Sequence, residues 1–431
     1  MLSLERAKKV KGELRVPSDK SISHRAVIFS SLARGESFIK EWLDSADTRA
    51  TLSVMRALGV RVKREGKNLR VYGRGYSLSE PVDVLNAKNS GTTARLMLGV
   101  LSTQPFFSTL TGDKSLRQRP MLRVVEPLRR MGADIKGRQG GDRLPVSVVG
   151  GRLKGISFYN EKSSAQVKSS LLLAGLRAEG YTQVVEPTLS RDHTERMLSA
   201  FGAKLRREKV QEGHLVELQG FQDLEATEIV CPADPSSASF FVALAALLEG
   251  SELLLKEVLV NPTRDRFFRK LKEMGASVSY EDLRELSGEP VADLRVEYSG
   301  RLKAVEVRPE EVPSLIDELP VLAVVMALAE GTSRVTGAQE LRVKESDRIR
   351  AVVENLRAMG AKVEELPDGF EIEGVERLRS GKVKTYGDHR IAMAFSVAGL
   401  TAQGQTIIDD HKCVSVSYPE FYRDLDYILV R

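Results

Sequence analysis

Hydrophobic residues along this chain fall into two alternating kinds of segment. In the first kind, apolar positions recur every three or four residues. The segment then closes on Met, Leu or Phe, then Gly, then Ala or Val, and an alternating run follows at once. The copies are MRALGVRVKR, LRRMGADIKG, LSAFGAKLRR, LKEMGASVSY and LRAMGAKVEE, with their glycines at Gly59, Gly132, Gly202, Gly275 and Gly360. The pattern predicts an amphipathic helix, a left-handed glycine cap and a strand. The second kind is apolar nearly all round, as in LPVLAVVMALAEG, and predicts buried helices. Its copies end near Gly35, Gln104, Gly180, Gly250, Gly331 and Gly404.

Six copies imply six units of roughly seventy residues, each holding two helices and several strands. A chain of 431 residues exceeds one comfortable hydrophobic core, so two domains of three units each are expected. The fourth unit begins in EATEIVCPADPSSAS, residues 225–239. The expected domains are 15–228 and 229–431, the second completed by residues 1–14, because the sixth unit runs out at Arg431 before a final amphipathic helix. Short strands such as LRVYG and VEVRP should form sheets outside the buried helices, wet on one side.

Composition is that of an ordinary globular protein, 42% hydrophobic and 29% charged. The net charge of +6 comes from 65 basic and 59 acidic residues, with no lysine-rich tail. That favours small anions over nucleic acid. Cys231 and Cys413 make neither a disulfide framework nor a metal clip, which fits a reducing compartment. No segment has the length of a membrane span, and MLSLERAKKVKGEL has no signal-peptide apolar region. A cytoplasmic location is expected.

The candidate chemistry lies just before the apolar helices, in SDKSISHR, NAKNSGTTAR, NEKSSAQVKSS, CPADPSSAS, PSLIDELP and YGDHR. Ser, Thr, Asn and Asp are helix caps. Caps do not explain Lys20, Arg25, Arg95, Lys168, His389 and Arg390 in first turns, where the helix dipole disfavours cations. A bound anion reverses that cost, since free N–H groups and the dipole both attract it. The expectation is a cleft between two domains, floored by helix N-termini and lined by Lys and Arg. Arg119, Arg191, Lys344 and Arg348 are further candidates. Lys344 and Arg348, four apart, are expected on one helix face, and a solvated face paired with Glu345 and Asp347 is the plain alternative.

Asp317 and Glu345 stand out, because a carboxylate in an anion site repels the ligand and points to acid–base work or to holding a hydroxyl. A plain N-cap role is the alternative for Asp317. The chain has no P-loop, no dinucleotide-binding glycine motif, no HExxH and no nucleophile elbow. His411 is a metal-ligand candidate, with Asp409 or Asp410 as its partner. No metal and no cofactor is expected.

Together, VPSDKSISHRA, NSGTTARLM, GDKSLRQRPM, SSAQVKS, DELPVLA, LRVKESDR and YGDHRIAMA resemble the EPSP synthase family of enolpyruvyl transferases, in order and over essentially the whole chain. The resemblance implies an α/β fold in the form of a two-domain inside-out α/β barrel. Each domain would hold three βαβαββ repeats, with buried helices and outward-facing sheets. It implies transfer of the enolpyruvyl group of phosphoenolpyruvate to the 5-hydroxyl of shikimate 3-phosphate, by addition and elimination and without a cofactor, in a monomer inhibited by glyphosate.

Carried over residue by residue, the resemblance places Lys20, Gly91, Arg119, Gln166, Arg348 and Arg390 at phosphoenolpyruvate. Lys20, Ser21, Arg25, Ser163, Ser164, Gln166, Ser190, Arg191, Asp317 and Lys344 are placed at shikimate 3-phosphate. Asn89, Thr92, Arg95, His389 and Lys412 would support them. Lys20, Asp317 and Glu345 are the expected catalytic groups. Two departures stand out: Arg191 in SRDHTERM, and Val416 where the family has a lysine, with Lys412 nearby.

Three rivals share part of these features. The sister transferase acting on UDP-N-acetylglucosamine normally has a cysteine or aspartate in the loop matched by GDKSLRQRPM, where this chain offers only Asp113. A binding module for phosphoanions has no need of Asp317 and Glu345. An RNA 3′-phosphate cyclase-like role lacks aromatic stacking residues here.

Overall fold

A computed structural model describes residues 1–430. The chain forms two compact units. One comprises Ser18–Cys231 with Leu286–Glu289; the other comprises Met1–Pro17, Pro232–Glu285 and the chain from Pro290 onward.

In the first unit the helices are α1 (Lys20–Leu32), α2 (Ala46–Ala57), α3 (Gly91–Ser102), α4 (Leu122–Met131), α5 (Ala165–Gly175) and α6 (His193–Ala200). The second unit carries α7 (Pro235–Leu247), α8 (Arg266–Glu273), α9 (Leu319–Leu328), α10 (Arg348–Ala358), α11 (His389–Thr401) and α12 (Phe421–Ile428). Odd-numbered helices are buried along almost their whole length. In α11 every residue is buried. Even-numbered helices bury one stripe only, as the two apolar patterns require.

All five cap glycines have positive φ, from +84° at Gly360 to +113° at Gly132. Only glycine enters that region without a Cβ penalty, so each amphipathic helix stops there and turns into its strand.

Most of the sheets repeat one topology. In the second repeat, Leu85–Asn86 runs parallel to Phe107–Thr111, which pairs antiparallel with Arg143–Val149 and through it with Asp134–Arg138. The third repeat matches it with Ser157–Tyr159, Tyr181–Glu186, Gly213–Gln219 and Leu205–Val210. The fifth does so with Glu306–Val307, Thr332–Val335, Gly369–Glu373 and Lys362–Leu366. Strand residues alternate: in Asn68–Arg74, Leu69 and Val71 point inward while Arg70 and Tyr72 are half-buried.

The first strands complete other repeats. Lys9–Leu14 lies parallel to Glu252–Leu259, and Leu2–Leu4 lies antiparallel to Thr406–Ile408. The strand entering α7, Glu228–Val230, pairs instead with Ala33–Lys40 of the first unit. The sixth repeat corrects the sequence expectation, because a final amphipathic helix does form. It is α12, whose Phe421, Leu425 and Ile428 are buried, and it closes without a glycine. It leads directly into Leu429–Val430, which pairs with Lys9–Val10, so no left-handed cap is needed.

Gly99 allows α3 and α5 to cross closely, since an ideal Cβ there would sit 2.2 Å from the Ser170 carbonyl oxygen. Gly99→Ala gains about 1 kcal/mol of helix propensity, yet the backbone clash should outweigh it. The expected outcome is a net loss of about 1–3 kcal/mol, read as a lower thermal midpoint; a raised midpoint would show that the helices can part freely.

Candidate functional site

Two polar clusters form at the heads of the buried helices, one in each unit. In the first unit Asp19 caps α1 by accepting the Ile22 N–H at 2.7 Å. Lys20 follows as the first helical residue, and its Nζ lies 2.9 Å from the Asp47 carboxylate on α2. Arg25 is one turn further in and buried. It donates to Thr194 Oγ1 at 2.7 Å, Ser169 Oγ at 2.8 Å and the Ser21 carbonyl at 3.0 Å. Its guanidinium thereby ties α1 to α5 and α6 and fixes the Ser21 backbone.

α3 begins at Gly91, capped by Ser90, whose Oγ accepts the Thr93 N–H. A Cβ on Gly91 would lie 2.8 Å from Arg119 Nη1 and 3.0 Å from Arg95 Nη1, so two guanidinium groups crowd this helix start. Arg95 donates to Gln166 Oε1 at 2.6 Å and to the Pro120 carbonyl at 3.1 Å. Gln166 in turn donates to Thr92 Oγ1 at 3.0 Å. Asn89 donates to Asp113 at 2.7 Å. Gly91, Thr92, Arg95, Arg119 and Gln166 are therefore one contiguous group.

His24 answers a different need from ligand binding. Fully buried, it meets Thr51 Oγ1 at 2.7 Å; Thr51 meets Thr93 at 2.7 Å, and Thr93 donates to Ser90 at 2.8 Å. The Thr93 hydroxyl proton goes to Ser90, so Thr51 must donate to Thr93 and His24 Nδ1 must donate to Thr51. Burial, then the Lys20 and Arg25 charges, hold His24 well below its usual range and thus neutral.

Lys168 departs from the anion-receptor expectation. Its ammonium is fully buried and lies 2.7 Å from both Glu186 and Glu195. Desolvation alone would neutralise it, but the two carboxylates raise its proton affinity instead. Glu186 also accepts from Ser190, placing that serine beside the Ser163–Ser164 turn through Asn160. Arg191 is half-buried next to this group.

In the second unit Arg348 is the centre. It is 1% exposed and faces three carboxylates: Asp388 at 2.8 Å, Glu345 at 2.6 Å and Asp317 at 3.4 Å. Arg390 approaches Asp317 at 3.7 Å. Lys344 and Arg348 do not share a helix face as the sequence suggested. Lys344 ends a 3-10 turn, Gln339–Val343, while Arg348 starts α10 behind the Asp347 cap. Asp347 also pairs with Arg342 rather than with Lys344 or Arg348. The break lets Glu345 fold back onto Arg348. Asp317 is no N-cap either, since Glu318 takes that position at α9. Burial lowers the Lys344 ammonium to about 8, partly offset by Asp317.

Asp388 caps α11 by accepting the Arg390 N–H at 2.9 Å, and it places buried His389 and Arg390 in the first turn. Lys412 is exposed, in the 3-10 turn His411–Val416. His411 packs edge-on against Tyr422, and Asp409 accepts from Thr385, so these groups serve packing and a turn. Among the described residues no cluster of three His, Cys, Asp or Glu has metal-site geometry, and no helix is long and apolar enough to cross a membrane.

Sequence reasoning missed Asp47, Asp388 as a partner of Arg348, and the Lys168–Glu186–Glu195 group. Asp47, Asp388 and Glu186 lie 27, 40 and 18 residues from their partners. For Arg348 and Lys168, only the rule that a buried cation demands a buried acid could have signalled them.

Asp388→Ala removes a cap, about 1 kcal/mol, and one arm of a buried ion cluster, about 3 kcal/mol or more. Asp388→Asn keeps the cap and should lose only the second part, measured by chemical denaturation at neutral pH. Burial raises the Asp388 pKa but Arg348 overrides it, leaving the carboxyl below its ordinary value. The wild-type advantage over Asn should therefore be full above the unfolded carboxylate range, about 4, and vanish as pH falls through the lower folded value.

The model of the family EPSP synthase (3-phosphoshikimate 1-carboxyvinyltransferase) matches residues 4–425. A 3-phosphoshikimate 1-carboxyvinyltransferase of Aquifex aeolicus (strain VF5) is 60% identical over 425 residues, 99% of each chain. One of Persephonella marina (strain DSM 14350 / EX-H1) is 56% identical over 429 residues, again 99% of each. The solved EPSP synthase from Acinetobacter baumannii superposes with a TM-score of 0.87 at 42% identity, covering 99% of this chain and 97% of that one. The enolpyruvyl transferase NikO from Streptomyces tendae, at 17% identity and a TM-score of 0.76, shares the fold. With a mixed α/β fold close to that of a solved EPSP synthase and a family match along nearly its whole length, the chain belongs to the EPSP synthase family.

Proposed function

We propose that this chain transfers the enolpyruvyl group of phosphoenolpyruvate to the 5-hydroxyl of shikimate 3-phosphate, releasing inorganic phosphate. The observation that carries this reading is the Arg348 cluster. Two carboxylates, Asp317 and Glu345, are held on one guanidinium beside Lys344 and Arg390. A plain anion binder has no use for carboxylates there; a transferase of anionic substrates needs both kinds of group.

Both substrates are multiply anionic. Lys20, Arg119, Arg348 and Arg390 bind phosphoenolpyruvate, with Gly91 leaving room for it and Gln166 beside it. Ser21, Arg25, Ser163, Ser164, Ser190, Arg191 and Lys344 bind shikimate 3-phosphate. Asp317 takes the proton of the 5-hydroxyl as its oxygen bonds to C2 of phosphoenolpyruvate. Glu345, with Lys20, supplies a proton to the methylene carbon, giving a tetrahedral ketal phosphate. Removal of a proton from the new methyl group restores the double bond as phosphate leaves with the C–O electron pair.

The same reading makes each unit an inside-out α/β barrel of three βαβαββ repeats, and the chain a cytoplasmic monomer. Six apolar helices, with a strand order that recurs in most of the sheets, support the repeats.

Phosphate release should require both substrates together. Asp317→Asn and Glu345→Gln should still bind them in calorimetry yet turn over at least about a hundredfold slower. Normal turnover in either variant would remove that residue from proton transfer, and release with UDP-N-acetylglucosamine instead would overturn the acceptor.

Glyphosate should compete with phosphoenolpyruvate. Gly91→Ala would drive a methyl against Arg119 and Arg95, forcing the guanidinium ends toward the ligand. The inhibition constant should rise about tenfold or more, a loss near 1.4 kcal/mol. An unchanged constant would show that the inhibitor does not lie over Gly91.

A further inference from the structure

We propose that Glu186 is a positioning residue for shikimate 3-phosphate, one carboxylate that sets the places of Ser163, Ser164 and Ser190 together. This rests on the reading above that these serines bind that substrate.

Glu186 ends the strand Tyr181–Glu186 and is fully buried. Its Oε1 accepts from Lys168 Nζ at 2.7 Å, from the Ser190 N–H at 2.8 Å and from the Ser190 hydroxyl at 3.0 Å. Its Oε2 accepts from the same hydroxyl at 2.8 Å and from Asn160 Nδ2 at 3.3 Å. Asn160, also buried, carries the effect onward. Its Oδ1 accepts the Ser164 N–H at 3.2 Å, its Nδ2 donates to the Ser164 carbonyl at 3.0 Å, and its carbonyl accepts the Ser163 N–H at 2.8 Å. Ser163 holds φ at +46°, a left-handed conformation that a non-glycine residue keeps only when its surroundings enforce it. The Ser163 hydroxyl accepts the Thr188 N–H at 3.1 Å, which leaves its proton to offer a ligand. The backbone bond from Ser190 to Glu186 keeps that serine placed when its hydroxyl turns to a ligand.

Four donor groups thus converge on one carboxylate, and all of them require acceptors. A glutamine offers a single oxygen. Its NH₂ must face either Lys168 and the Ser190 N–H or the Asn160 amide, and the second choice turns Asn160 away from Ser164. The fold tolerates the change electrostatically, because Lys168 retains Glu195 at 2.7 Å as a balanced partner.

The test measures shikimate 3-phosphate binding by calorimetry and kcat at saturating levels of both substrates. Glu186→Gln should raise the Kd for shikimate 3-phosphate about tenfold or more. Its KM for phosphoenolpyruvate should stay within about twofold, and its thermal midpoint within a few degrees. Asn160→Ala should show the same selective loss through the Ser163–Ser164 branch alone. Unchanged Kd in a folded Glu186→Gln, or equal loss toward both substrates, would overturn the proposal. Ser163→Ala and Ser190→Ala separate the two levels. If they leave the Kd unaltered, the placement of the substrate fails and the proposal falls with it; if they weaken binding while Glu186→Gln does not, only the role of Glu186 fails.

Discussion

A charge buried in protein must be matched, and in this chain the matching happens at the N-terminal ends of helices that are themselves buried. α3, α5 and α11 are covered along nearly their whole length. Their first-turn N–H groups have little water to bond, so side chains and backbone must satisfy them. Ser90 and Asp388 do so directly. Once such polar ends exist inside a unit, cations can be held there, and the repeat provides one end per unit of sequence.

The chain meets the cost of a buried cation in two distinct ways. Lys168 is enclosed by Glu186 and Glu195 and has no exposure. Burial pushes the Glu195 carboxyl up despite the ammonium beside it, as expected where two acids share one base. That group is structural, a fixed point from which Ser190 and Asn160 are hung. Arg348 instead faces, besides the fully buried Asp388, two acids that remain partly open, with side-chain exposures of 17% at Asp317 and 16% at Glu345. Access by a ligand separates the two clusters more clearly than charge does.

The local pattern of the sequence made the repeat visible because its signals are local. A helix stripe, a glycine cap and an alternating strand occupy about twenty consecutive residues, and each constrains the backbone on its own. The same locality explains the misses. α12 carries no glycine because it runs straight into Leu429–Val430, whose partner lies at the other end of the chain. Lys344 and Arg348 looked like a helical pair by spacing alone, whereas the segment Glu345–Asp347 leaves the helix so that Ser346 and Arg348 can both reach Asp388. Lys168 fitted the pattern of helix-head cations, but its acids arrive from the end of a strand and from α6. Helix heads were legible; pairings between elements were not, because they depend on contacts that no short motif encodes.

The charge balance around Arg348 bears on how its acids could act. Asp317, Glu345 and Asp388 contribute three negative charges, and Arg348, Lys344 and Arg390 contribute three positive ones when Lys344 is protonated. Asp388 is fully buried and bound through Nε and Nη2, so it is the arm least able to leave. Under the proposed function, an incoming carboxylate or phosphate must compete for the outer Nη atoms, which hold Glu345 and Asp317. Displacing either acid from the guanidinium frees its carboxylate oxygens to face the substrate. Substrate binding would then prepare these carboxylates to accept or deliver a proton, and Asp388 would keep Arg348 in place while that happens.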